Sequence, residues 1–128
     1  MEKKIRIKIT TVSSSSPVSV LKGEGSFRSK DNKTLITHTD KDNSKTSVII
    51  TDGKILLSRK AELYSLKIPV RSEQETLGIM GEENTFKVFG KTSSYEVDNF
   101  GGRVYLEYTL PDLSDEPTDF KIDIEFKF

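Results

Sequence analysis

Arg59 is the residue whose position makes the strongest chemical demand. It ends the stretch Thr46-Ser-Val-Ile-Ile-Thr-Asp-Gly-Lys-Ile-Leu-Leu-Ser-Arg59, in which alternation puts it on the face of Val48, Ile50, Ile55 and Leu57. A guanidinium on an apolar face needs a carboxylate, several carbonyls, water or an anionic ligand. Two roles satisfy that need: an anchor for a carboxylate or phosphate, or a structural clamp on loop carbonyls or on Glu62. Thr46 faces Arg59 across the same stretch. Tyr95 and Tyr108 form a second candidate pair, because a loop at Gly101-Gly102 would set them opposite each other on an inner face. Inward tyrosines serve either as pocket walls with a polar tip or as core residues with one satisfied hydroxyl.

His38 is the single histidine, with Asp40 two residues on. A His–Asp pair suits a general base. No cysteine is present, no serine sits in a recognisable nucleophile turn, and no third catalytic group is in sight. His38 is therefore expected on an exposed strand face, no residue is assigned a catalytic role, and the chain is not expected to be an enzyme. The lack of cysteine also removes disulfides and thiolate zinc sites. Asp112, Asp115, Glu116 and Asp119 lack the spacing of a calcium loop and read as a solvated acidic loop. Neither a metal nor a cofactor is expected.

The elements that must position these side chains are strands. Asp52-Gly53 is a favoured pair for a two-residue type I′ turn. That turn sets Thr51 opposite Lys54, Ile50 opposite Ile55, Val48 opposite Leu57 and Thr46 opposite Arg59. Upstream, residues 3–12 alternate with Ile5, Ile7 and Ile9 on one face against Lys4, Arg6 and Lys8. Ser13 to Pro17 reads as a polar loop, and Val18 to Arg28 as extended, with a bulge or bend at Gly23-Glu-Gly25. Thr34 to Thr39 is a short strand. Ala61 to Ile68 is extended with Tyr64, Leu66 and Ile68 on one side, after a break near Ala61–Leu63. Thr76 to Met80 and Thr85 to Lys91 follow, then Tyr95 to Phe100 and Arg103 to Leu110. The last strand alternates Phe120, Ile122, Ile124, Phe126 and Phe128 against Lys121, Asp123, Glu125 and Lys127.

No window has an apolar period near 3.6, so almost no helix is expected. At 128 residues the chain is read as one domain, residues 1–128. Only 34% of residues are hydrophobic, enough for one inner face when they alternate. Nine or ten short strands imply a sandwich or a barrel, and a closed barrel removes unpaired edges. Formal net charge is zero, yet residues 1–71 hold 15 Lys and Arg against 7 Asp and Glu, and residues 72–128 hold 5 against 13. A barrel would set the basic first strand beside the acidic last one, with Lys4, Arg6 and Lys8 near Asp123 and Glu125. Strands Ile5 to Ile9 alternate where a signal peptide needs a continuous apolar core, and no stretch approaches a membrane span. The expectation is a cytoplasmic protein with no membrane partner. The basic stripe carries no interleaved aromatic, so nucleic acid is not the expected partner.

In the order and spacing of the opening Lys4-Ile-Arg-Ile-Lys-Ile9, the Gly23-Glu-Gly25 segment, the hairpin ending in Arg59, Gly90-Lys-Thr92 and Gly101-Gly-Arg-Val-Tyr-Leu-Glu-Tyr108, the chain resembles the YwiB-like family of small bacterial proteins. The resemblance runs over nearly the whole chain. It departs at Arg59-Lys60-Ala61, where the family tends to Arg-x-Gly, and at Met80-Gly-Glu-Glu-Asn84, where it tends to an aromatic-Thr-Pro-x-Gly segment. It implies an all-β fold, a single antiparallel calycin-like barrel of the lipocalin and fatty-acid-binding-protein kind, with no assigned activity. Fold does not fix function. The leading expectation is a non-enzymatic barrel binding a small amphiphilic or anionic molecule, with Arg59, Thr46, Tyr95 and Tyr108 at the site. The alternative is a protein or RNA interaction module that uses the outer charged surface, as a homodimer or with a protein partner.

Overall fold

Alternation carries through to the structure in β1, β3, β4, β9 and β10. In β1 (Glu2–Ser13) Ile5, Ile7 and Ile9 are buried while Lys4, Arg6 and Lys8 are exposed. The chain continues as β2 (Ser16–Lys30), β3 (Lys33–Thr39), β4 (Lys45–Thr51), β5 (Lys54–Lys60) and β6 (Ser65–Val70). It ends with β7 (Gln74–Met80), β8 (Asn84–Val97), β9 (Gly101–Leu110) and β10 (Thr118–Lys127). This structure, a computed structural model, describes residues 2–52, 54–111 and 116–128. Each strand pairs antiparallel with the next, and β1 pairs with β10 to close a barrel of ten strands. Among the described residues there is no helix, and so none long and apolar enough to cross a membrane.

The hairpin of β4 and β5 has the expected register, from Thr51 opposite Lys54 to Thr46 opposite Arg59. Asp52 has φ of 46°, as the first position of a type I′ turn requires. Gly53, its expected partner in that turn, lies outside the described residues. Val48, Ile50 and Ile55 are buried and Leu57 packs against the core. That core lies inside the barrel and includes Ile36, Ile68, Val70, Val88, Val104, Leu106, Ile122, Ile124 and Phe126. Each such side chain contributes about 1.5–3 kcal/mol on burial.

Three local expectations need correction. Gly23-Glu-Gly25 holds no bulge, since Gly23 lies opposite Ile7 and Gly25 opposite Ile5 in an unbroken ladder to β1; the ladder of β2 to β3 begins at Gly25. The glycines instead leave space on the inner face: a Cβ on Gly23 would lie 2.5 Å from His38 Cε1. Residues 85–91 and 95–97 belong to one long strand, β8, whose register with β9 shifts between Gly90 and Thr92. The hairpin of β8 and β9 turns through Asp98-Asn-Phe100 rather than Gly101-Gly102. Asp98 Oδ1 accepts from the N–H groups of Phe100 at 2.8 Å and Gly101 at 3.1 Å, a side-chain-capped turn. The register is therefore Tyr95 opposite Val104 and Ser93 opposite Leu106. Tyr95 does not face Tyr108, which lies opposite Gly90. The shift is even, so both tyrosines keep the inner parity while sitting at different heights.

The closing pair of strands relates to the charge split as expected only in part. Lys8 lies opposite Glu125. Asp123 instead takes a two-pronged bond from Arg103, with Nε 2.8 Å from Oδ1.

Candidate ligand-binding site at one end of the barrel

In a meander, the β1–β2, β3–β4, β5–β6, β7–β8 and β9–β10 connections share one end. Towards that end a row of inward side chains crosses three strands: His38 lies opposite Thr46, and Thr46 opposite Arg59. The loop after β3 brings Asp40 onto this row. Its backbone is fixed by Asp40 N–H to Ser44 O at 2.8 Å and Asn43 N–H to Asp40 O at 3.0 Å, with Asn43 at φ 67°. Asp42 Oδ1 accepts from Ser44 N–H at 3.0 Å, and that bond holds the Asp42 carboxyl below its ordinary value.

Arg59 is bound at three points. Nη2 donates to Asp40 Oδ2 at 3.1 Å, Nη1 to Thr46 Oγ1 at 3.0 Å and Nε to the Tyr64 hydroxyl at 3.0 Å. Burial alone would lower its pKa; the bonds from Tyr64 and Asp40 outweigh that and hold it above the ordinary value. A guanidinium has five N–H donors. Two of them, one on each terminal nitrogen, have no partner among the described residues. The clamp is thus made by Asp40, Thr46 and Tyr64 and not by Glu62.

His38, expected to be exposed, is buried at 5% accessibility. The reason is parity: Thr34, Ile36 and His38 form the inner face of β3. Its Nδ1 lies 2.8 Å from the carbonyl of Glu24, and its Nε2 2.8 Å from Asp40 Oδ1. Both partners accept, so the ring donates at both ends when each nitrogen carries a proton. The arrangement orients Asp40, which orients Arg59.

Beneath the row lies a cavity of about 250 Å³. Its wall is apolar for the most part, with Ile9, Leu57, Leu66, Ile68 and Ile122 contributing. Arg59, Thr46, Thr11 and Tyr108 are the polar residues of its lining. Leu21 also lines it, on the part of β2 from Ser16 to Glu24 that pairs with β1 and has no ladder to β3. Leu21 and Arg59 both reach solvent, which marks the way in. A larger hollow of about 510 Å³, between Arg6, Lys8, Lys22 and Glu24, lies on the outer face and is lined mainly by charged residues.

Of the four residues chosen from sequence, the structure gathers Arg59, Thr46 and Tyr108 at this cavity. Tyr95 is not among its lining residues. It stands near the other end, with its hydroxyl beside Thr34, and burial raises its pKa more than that contact lowers it. Sequence reasoning missed the structural part played by Asp40, His38 and Tyr64. The signal for His38 was present in the alternation of Thr34, Ile36 and His38. Asp112 and Asp115 of the proposed acidic loop lie outside the described residues. Asp119 accepts from the Thr109 hydroxyl at 2.6 Å, with Lys91 Nζ at 3.5 Å. Among the described residues no three His, Cys, Asp or Glu side chains gather as a metal site would need.

No family model matches the chain, and no curated protein matches it. Among solved structures, the crystal structure of YwiB protein from Bacillus subtilis is similar over 98% of this chain and 92% of its own, with a TM-score of 0.78 at 16% sequence identity. At that identity the likeness is one of fold: this chain has a YwiB-like barrel.

Proposed function

We propose that the barrel is a non-enzymatic binding module for a small amphiphilic anion. The head group sits on Arg59, with Thr46 beside it, and the apolar body enters the cavity walled by Leu57, Leu66, Ile68 and Ile122. The observation that carries this is a guanidinium fixed by three bonds, with two donors unused, lining an apolar cavity. Pre-fixed planar donors of this kind suit a carboxylate or phosphate edge. Asp40 offsets the charge of Arg59. Asp40 is itself held between His38 and Arg59, which fixes the guanidinium in place.

The reading in which the outer surface binds a macromolecule has less support. Its charge asymmetry is taken up in part within the sheet, where Lys8 faces Glu125 and Arg103 grips Asp123. Native mass spectrometry of protein purified from its own host tests the binding reading. The expected spectrum has a small-molecule adduct that is lost in Arg59→Gln. A wild-type spectrum without any adduct, or an adduct of equal occupancy in the variant, overturns it.

A further inference from the structure

Tyr108 is 2% exposed and lines the cavity, with its ring stacked on Phe120 at 5.2 Å between centroids. Its hydroxyl has no hydrogen-bond partner among the described residues, and burial is the one influence on its pKa, which it raises. Packing does not ask for that oxygen, since a phenylalanine would stack equally well. The hydroxyl oxygen is not itself shut off from solvent, so water can serve it and a ligand oxygen can take that water's place.

The position of Tyr108 defines that acceptor. β5 and β9 are four places apart around the ten-strand ring, so Arg59 and Tyr108 stand on nearly opposite walls. The cavity thus has donors on two sides and hydrocarbon between them. We infer, resting on the binding reading above, that the ligand is a monoanion with a second oxygen at its far end: an oxygenated carboxylate whose carboxylate meets Arg59 and whose distal hydroxyl or oxo group accepts from Tyr108. At ~30 Å³ for each water-sized group, about 250 Å³ holds roughly eight such groups, the scale of a medium-length chain. Tyr108 is then the residue that sets specificity, because a site built to bond an oxygen discriminates against the analogue lacking it.

The test is calorimetric titration of hexanoate, octanoate and decanoate, and of the three matching ω-hydroxy acids, into wild-type protein and Tyr108→Phe. This variant keeps the ring and its stack on Phe120. In the wild type, the ω-hydroxy acid of the best-fitting length binds about five- to tenfold tighter than its parent, the worth of one neutral hydrogen bond. In Tyr108→Phe that preference falls to about one. Equal binding within every pair by the wild type, or a preference that survives in the variant, overturns the inference and leaves the anion site standing. If no acid of either series binds, the binding reading fails and the inference falls with it.

Discussion

At Gly23 the inner wall of the barrel has no side chain, and the His38 imidazole occupies the space. The ring is buried and bonded at both ends, so it has little freedom to withdraw from an added methyl group at 2.5 Å. Gly23→Ala should cost about 1–3 kcal/mol of stability by overpacking, read as a lower urea midpoint. In a His38→Ala background the same change should cost much less, because the ring it collides with is gone; additive costs would show that the glycine serves another purpose. Arg59 was placed inward from sequence because a two-residue turn fixes parity and leaves no slack. His38 was not, because no such turn anchors Thr34 to Thr39 and a histidine fits either face. Tyr64 escaped for a different reason. It reaches Arg59 from the turn between β5 and β6, where Ala61 N–H bonds to Tyr64 O at 2.8 Å and strand alternation no longer applies.

Among the elements, the hairpin of β8 and β9 shows how turn chemistry outweighs composition. Gly101-Gly102 has the sequence of a tight loop, but Asp98 supplies a stronger signal by capping two N–H groups. The glycines are needed for close approach to the strands on either side: a Cβ on Gly101 would lie 2.1 Å from Phe126 O of β10, and one on Gly102 2.4 Å from Glu96 O of β8. Asp98→Ala should therefore lower stability by about 1 kcal/mol without changing the slope of the denaturation curve. Unchanged stability would mean that the ladder alone sets this register. Because the shift was by an even number of residues, which faces point inward was legible in the sequence, while which tyrosines meet was not.

At the scale of the whole molecule, the ring of ten strands closes around one apolar interior, and an all-β barrel was legible from the alternation of the first, central and last strands. The ring is not uniform. β9 and β10 share ten paired positions from Thr118 opposite Leu110 to Lys127 opposite Gly101, while β6 and β7 share two, Leu66 with Met80 and Lys67 with Ile79. Pro69 has no N–H to extend that second ladder, and the Thr76 hydroxyl donates to its carbonyl at 2.7 Å instead. Native-state hydrogen exchange should find the slowest amides in β1, β9 and β10 and an early-opening seam between β6 and β7. Uniform protection around the ring would contradict this. The seam borders the cavity through Leu66 and Ile68, so its opening and any occupancy of the cavity should be coupled.

The most direct test of the central claim, that Arg59 presents a charged head-group site above an apolar cavity, is a two-dimensional methyl NMR titration with octanoate. The methyl signals of Leu57, Leu66, Ile68 and Ile122 should shift together and saturate, those of Val97 near the opposite end should stay fixed, and Arg59→Gln should abolish the response. Shifts confined to outward-facing methyls such as Val18 and Val20, or an undiminished response in the variant, would contradict it.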